Sequence, residues 1–149
     1  VAMPYYYFDS TALVKRYSRE RGSRIVNSLM TKRDKTILIG GPTITEFYAV
    51  FAQKTREGQL TRDDWYTVLF KFEAESLRGV YHFAIPTSET STSTKELLFQ
   101  YPHLHTPQAV HLMLAQEFKS LRLTIVSTDR QILELCKPLG MNAINPEDE

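Results

Sequence analysis

Cysteine is almost absent from this 149-residue chain, Cys136 being the only one. A single thiol excludes an internal disulfide framework and a cysteine-built metal site, and it fits a reducing compartment, so the cytoplasm is expected. An excess of one charge is absent as well, since 18 Lys and Arg meet 17 Asp and Glu for a formal net charge of +1. No overall field therefore announces a nucleic-acid ligand, and only a local basic surface is left for that task. No apolar run approaches the roughly 18 residues of a membrane span, and no basic segment followed by an apolar one has the form of an export signal. Neither spanning nor export is expected. Val1 and Ala2 stand before Met3, which is expected to be the natural start with two extra residues ahead of it.

What is present, 42% hydrophobic and 23% charged residues, is the balance of one globular domain over residues 1–149. A chain of this mass can bury about two-thirds of its unfolded surface without a metal or disulfide staple. The unalternating run Tyr5-Tyr6-Tyr7-Phe8 suits a strand buried on both faces. Helical spacing follows in two pieces, over Ala12, Leu13 and Tyr17 and then Ile25, Val26, Leu29 and Met30, with a break at Gly22-Ser23. Thr36 to Ile39 is a second strand, closed by Gly40-Gly41-Pro42, and a helix is expected from Thr43 to about Glu57. A further helix runs from Thr61, its N-cap, to Gly79, with Trp65, Val68, Leu69, Phe72 and Leu77 as its apolar stripe, a core or dimer-interface face. Val80 to Ile85 is a third strand. The Ser/Thr-rich stretch from Thr87 to Thr94 is expected to be a loop and helix start leading into Lys95 to Tyr101. Thr106-Pro107 opens another helix, Leu123 to Val126 is a fourth strand, Asp129 to Leu139 is helical, and Ala143-Ile144 is a short last strand. Strands alternating with helices predict an α/β fold with a central, mainly parallel sheet of four or five strands, whose ligand sites lie outside the carboxyl ends of the strands.

Three carboxylates fall at such ends. Asp9 follows the first strand, Glu46 opens the helix after the second, and Asp129 follows the fourth after Ser127-Thr128. Brought together they would repel one another unless a cation neutralised them, and hard oxygen donors suit Mg²⁺ or Mn²⁺. Such an ion activates water and stabilises charge on a phosphodiester, so a metal-dependent phosphodiesterase is the chemistry this constellation supports. Each residue also has a structural reading: Asp9 and Asp129 as helix N-caps, and Thr43-Ile44-Thr45-Glu46 as a capping box. Ser10 and Thr128 are either cap hydroxyls or groups that support the carboxylates.

Phe8-Asp9-Ser10-Thr11-Ala12-Leu13-Val14-Lys15, Thr43-Ile44-Thr45-Glu46 with Ala49, Ala109-Val110-His111-Leu112, Ser127-Thr128-Asp129-Arg130 and Ile144-Asn145-Pro146 follow one another along nearly the whole chain. In this order and spacing they resemble the PIN domain, of the VapC toxin type. The resemblance implies a three-layer α/β/α sandwich and a Mg²⁺- or Mn²⁺-dependent endoribonuclease, usually a homodimer and commonly paired with an antitoxin. It implies Asp9, Glu46 and Asp129 as metal-binding catalytic residues, with Ser10 and Thr128 in support. The family's further Asp, just before the Ala-x-His-Leu segment, is here Gln108. A glutamine oxygen can orient a metal-bound water but carries no charge and cannot act as a base. Three carboxylates instead of four favour one ion over two, with the water activated by the ion and by Asp9 or Asp129.

Lys15, Arg16 and Arg19, beside Asp9, are candidates to hold RNA phosphates, against a solvated helical face as the alternative. A zinc site from His103, His105 and His111 lacks a fourth ligand, and His111 is expected to be a hydrogen-bonded structural histidine. A phosphatase with Asp9 as nucleophile lacks an acid two residues on, where Thr11 stands. Gln108 motivates the rival to the ribonuclease, a catalytically impaired PIN module that binds RNA or a protein partner without cutting.

Overall fold

The computed structural model describes residues 3–148; Val1 and Ala2, expected to precede the natural start, lie outside the described residues, as does Glu149. Five strands, β1 (Tyr5–Phe8), β2 (Thr36–Gly40), β3 (Tyr81–Ala84), β4 (Leu123–Val126) and β5 (Asn142–Ile144), form one sheet in the order β3-β2-β1-β4-β5. Every neighbouring pair is parallel. The helices between them are α1 (Ser10–Tyr17), α2 (Ser23–Met30), α3 (Gly41–Arg56), α4 (Arg62–Leu77), α5 (Ser88–Gln100), α6 (Thr106–Gln116) and α7 (Arg130–Cys136).

Period-two alternation sorts the strand side chains into two cores. Tyr6, Phe8, Ile37 and Ile39 pack with Leu13, Val26, Phe47 and Phe72 from α1 to α4. Tyr7, Leu38 and Ile125 pack with Leu97, Leu112 and Ile132 from α5, α6 and α7. The aromatic run at the start of the chain is thus the middle layer of a three-layer α/β/α sandwich, as the sequence predicts. Because β1 is central and the strand order reverses between β1 and β4, the ends of these two strands form the switch point of the sheet. Cys136 is buried in the second core, and burial together with the charge of Asp9 pushes its thiol up to about 11, which makes it inert. Among the described residues no helix is long and apolar enough to cross a membrane.

Two segments depart from the pattern read along the sequence. At Thr87 to Thr94, expected to be a loop and helix start, the loop ends at the cap Thr87 and α5 already runs from Ser88. Thr87 caps it by accepting from the Thr90 amide, and the hydroxyls of Thr92, Ser93 and Thr94 donate to carbonyls one turn back, so the polar residues bond within the helix rather than break it. In α4, Thr61 is the N-cap as expected, but Leu77 does not share the core stripe and is 90% exposed. The buried position of that turn is Glu75, whose Oε2 accepts from Arg16 Nη2 at 2.7 Å while Asn27 accepts from Nη1 at 2.6 Å. Leu77 instead continues an outward stripe with Tyr66 and Phe70.

Glu75→Ala leaves the guanidinium of Arg16 without its buried partner, and a loss of about 3 kcal/mol in urea-melt stability is expected. Replacing both residues by hydrophobic ones, Arg16→Met with Glu75→Leu, should recover most of that loss. A double variant no better than the single one would show that the pair does not act as a unit.

Candidate active site

Asp9 leaves the end of β1 as the N-cap of α1, where its Oδ1 accepts from the Ala12 amide at 3.1 Å. The same oxygen accepts from the Thr11 hydroxyl at 2.6 Å, and Oδ2 accepts from the Ser127 hydroxyl at 2.5 Å. The carboxyl is 3% exposed. Burial raises its pKa above the ordinary 3.8, and the hydrogen bonds from Ser127 and Thr11 oppose that rise only in part. Ser127 also accepts from the Asp129 amide at 2.9 Å, so one fully buried hydroxyl couples the two aspartates across the switch point of the sheet.

Asp129 is the N-cap of α7. Its Oδ1 accepts from the amides of Gln131 and Ile132 at 2.9 and 3.2 Å, and its Oδ2 accepts from Gln108 Nε2 at 2.7 Å. The other end of the Gln108 amide, Oε1, accepts from the His105 amide at 2.8 Å and closes the first turn of α6. Gln108 therefore acts on Asp129 as a donor, the one thing a carboxylate in its place could not do when ionised.

Glu46 is held in another way, by His111 and not by the residues that hold the two aspartates. α3 begins at Gly41 rather than Thr43, with Gly40 as its N-cap and Pro42 in its first turn. Thr43 is consequently inside the helix, its hydroxyl donating to the Phe8 carbonyl at 3.3 Å, and no capping box with Glu46 forms. Glu46 Oε1 lies 2.6 Å from His111 Nε2 instead, and His111 Nδ1 lies 2.8 Å from the Tyr7 hydroxyl. Burial, then the charges of Asp9 and Glu46, raise the Tyr7 phenol well above its usual range, so it keeps its proton. A carboxylate only accepts, so Nε2 donates to Glu46, and the Tyr7 hydroxyl orients the ring from its other nitrogen. The arrangement needs Gly40, because a Cβ there would stand 2.2 Å from the Tyr7 hydroxyl oxygen.

The two hydroxyls that hold Asp9 are those of Thr11 and Ser127. Thr11, two residues beyond the cap, sits over the cap oxygen, whereas Ser10 lines a neighbouring groove with Val14 and Lys15. Thr128 enters through its backbone amide, which donates to Thr11 Oγ1 at 2.8 Å. Ser127 and Thr11 stood inside the quoted segments; their position beside the two caps was the signal that could have found them. Of the neighbouring cations, Lys15 is 4% exposed and its ammonium bonds Glu20 and Glu147 at 3.0 and 2.9 Å. Arg16 is held by Glu75 and Asn27, while Arg19 is exposed and lines an open cavity of about 520 Å³ with Lys71 and Asn27. His103 and His105 are exposed and His111 is buried in its bonds to Tyr7 and Glu46, so the three histidines form no zinc cluster.

Each carboxylate oxygen offers two lone pairs. Oδ1 of both aspartates uses two, whereas Oδ2 of each accepts one hydrogen bond and retains one lone pair. Among the described residues no three His, Cys, Asp or Glu side chains stand together closely enough to form a complete cage for an ion. What remains suits a hard divalent ion that keeps several of its waters and takes one or two carboxylates from the protein.

No family model matches the sequence, and no curated protein matches it. Solved structures match the fold over nearly the whole chain. FitAcB from Neisseria gonorrhoeae superposes with a TM-score of 0.68 at 11% identity, covering 97% of this chain and 99% of that one. VapBC2 from Rickettsia felis, bound to a DNA fragment from its promoter, gives 0.66 at 13% identity and covers 95% and 98%. VapC20 of Mycobacterium tuberculosis, a toxin that cleaves the sarcin-ricin loop, gives 0.65 at 10% identity and covers 87% and 94%. At these identities the likeness establishes the fold, which is PIN-like, and the chain spans nearly the full length of each structure.

Two outcomes follow from the geometry. A folded-state pKa raised above the unfolded one means that the stability associated with Asp9 is complete below about pH 4 and is lost as pH rises through the raised value. In chelator, Asp9→Asn should therefore melt higher than the native chain at pH 7, by about 2–4 °C per kcal/mol of relieved burial cost, and the gap should close in acid. Gly40→Ala should cost about 1–3 kcal/mol, as overpacking does, and Tyr7→Phe combined with it should restore part of the loss; no recovery in the double variant would show that the hydroxyl is not the obstacle.

Proposed function

We propose that this chain is a divalent-metal-dependent endoribonuclease that hydrolyses RNA phosphodiesters, and the toxin of a toxin–antitoxin pair. The observation that carries the reading is the coupling of Asp9 and Asp129 through buried Ser127 at the switch point of a parallel sheet. A PIN-like fold shared with a toxin that cleaves the sarcin-ricin loop supports it.

Asp9 and Asp129, each with a lone pair left on Oδ2, are the residues that would hold one Mg²⁺ or Mn²⁺, with Glu46 reaching it through one of its waters, and such an ion would supply an acidified water and charge stabilisation for the phosphodiester. The chain's own groups set the stage. Thr11 and Ser127 fix both oxygens of Asp9, His111 fixes one oxygen of Glu46, and Gln108 fixes Asp129 while adding no charge of its own. Arg19 holds RNA phosphate, whereas Lys15 and Arg16 shape the surface beside it through their ion pairs. FitAcB and VapBC2 support a partner antitoxin. The outward stripe of Tyr66, Phe70 and Leu77 on α4 is an apolar face of the kind that protein partners cover, in a second copy of this chain or in that antitoxin.

A second reading has its own observation. The Gln108 amide donates to the oxygen of Asp129 that would otherwise face an ion, and this favours a module that binds RNA or protein without cutting. Cleavage of a mixed pool of structured RNAs in Mg²⁺ or Mn²⁺, with and without chelator, separates the two. Under the first reading the native chain cuts, chelator stops it, and Asp9→Ala lowers the rate by roughly two orders of magnitude, the low end of what a positioned acid–base group contributes. Under the second the native chain is silent and Gln108→Asp restores cutting. Undiminished cutting by Asp9→Ala would place the chemistry elsewhere.

A further inference from the structure

A cavity of about 350 Å³ opens between the α5–α6 loop and α7, outside the carboxylate cluster, and none of its side chains has a part in the scheme above. It adjoins the cluster on both sides. The loop wall, Tyr101 to Leu104, runs directly into His105, whose amide is held by Gln108, and Gln108 holds Asp129. The helix wall carries Gln131, whose amide is one of the two that Asp129 caps. The cavity is therefore linked to Asp129 from both walls, through His105 and Gln108 on one and through the Gln131 amide on the other.

The lining has the chemistry of a base pocket. Leu104 and Leu135 are buried and form an apolar floor, and Tyr101 and His103 supply flat rings. Gln131 offers a donor and an acceptor, and Glu134 an acceptor alone. Single-stranded RNA is recognised by unstacked bases that lie against aromatic faces while their edges are read by hydrogen bonds. An acceptor-only group beside an amide matches an edge that carries an exocyclic amine next to a ring acceptor, as adenine and cytosine do, and opposes the carbonyl that uracil presents there.

We propose that this cavity receives an unstacked base of the RNA substrate beside the scissile phosphodiester, with Tyr101 against its face and Gln131 and Glu134 selecting an amino-bearing base over uracil. The assignment rests on the ribonuclease reading for its substrate class, but its test needs neither cleavage nor metal. The full chain is titrated with AMP, CMP and UMP while amide NMR signals are followed. The expected result is that AMP and CMP move the signals of Leu104, Gln131 and Leu135, and bind about fivefold or more tighter than UMP, the lower end of what one good base contact discriminates. Tyr101→Ala should weaken all three ligands about tenfold. Glu134→Gln, on the exposed side of the pocket, should bring UMP level with the others without altering the fold. Equal binding of UMP by the native chain, or shifts confined to residues away from the cavity, would overturn the assignment. A chain that shows this selectivity yet cuts no RNA keeps the pocket and loses the ribonuclease reading, and a chain that cuts RNA but leaves the cavity signals unmoved loses the pocket alone.

Discussion

The Asp9 carboxyl sits at the end of the central strand with almost no access to water, and much of the surrounding structure exists to hold it there. An isolated carboxylate in such a place would cost several kcal/mol in lost hydration. Its hydrogen bonds come from different parts of the fold: the Thr11 hydroxyl and the Ala12 amide from the helix it caps, and the Ser127 hydroxyl from the end of β4. Those bonds register α1 against β4, and through the Asp129 amide on Ser127 they register α7 as well. The raised pKa of Asp9 shows that burial is not fully offset. A buried carboxyl held at this cost, at a strand end of a parallel sheet, supports the site proposed there.

Around this centre the other two carboxylates accept from a ring nitrogen and a side-chain amide. Glu46 accepts from an imidazole that is itself oriented by a buried phenol, and Asp129 accepts from the amide of Gln108. Gln108 brings no formal charge, so it does not compete with a cation for electrostatic control of the site, though each partner occupies one lone pair. Gln108 differs from an acidic residue in two ways at once: it removes a negative charge and it adds a donor. The first lowers the pull on a divalent ion, and the second tightens the first turns of α6 and α7 against each other. The same amide thus links the carboxylate cluster to the wall of the neighbouring cavity.

Asp9 and Asp129 are helix caps, and capping is compatible with the site role proposed for them. Each aspartate caps a helix with Oδ1 and turns Oδ2 toward its neighbours. For Glu46 the start of α3 at Gly41 removes the capping-box reading by moving Thr43 inside the helix. The strands were legible because a buried parallel strand is apolar on both faces, as in the run from Tyr5 to Phe8. The start of α5 was not, because Ser and Thr resemble turn residues until their hydroxyls find carbonyls one helical turn back. Nor was Leu77, since a stripe counted by apolarity alone passes over Glu75, which is buried only because Arg16 from another helix meets it.

By itself the sequence determined the order of strands and helices, the placement of three carboxylates at strand ends and the glutamine among them, because these depend on local periodicity and on which residue follows which. The tertiary structure alone decided that the Ser127 hydroxyl holds Asp9, that His111 points Glu46 and that Gln108 donates to Asp129. Those contacts join residues 21 to 118 positions apart along the chain. Hydrogen bonds of this kind depend on the angle between elements and on distances of a few tenths of an ångström, and no spacing along the chain records them.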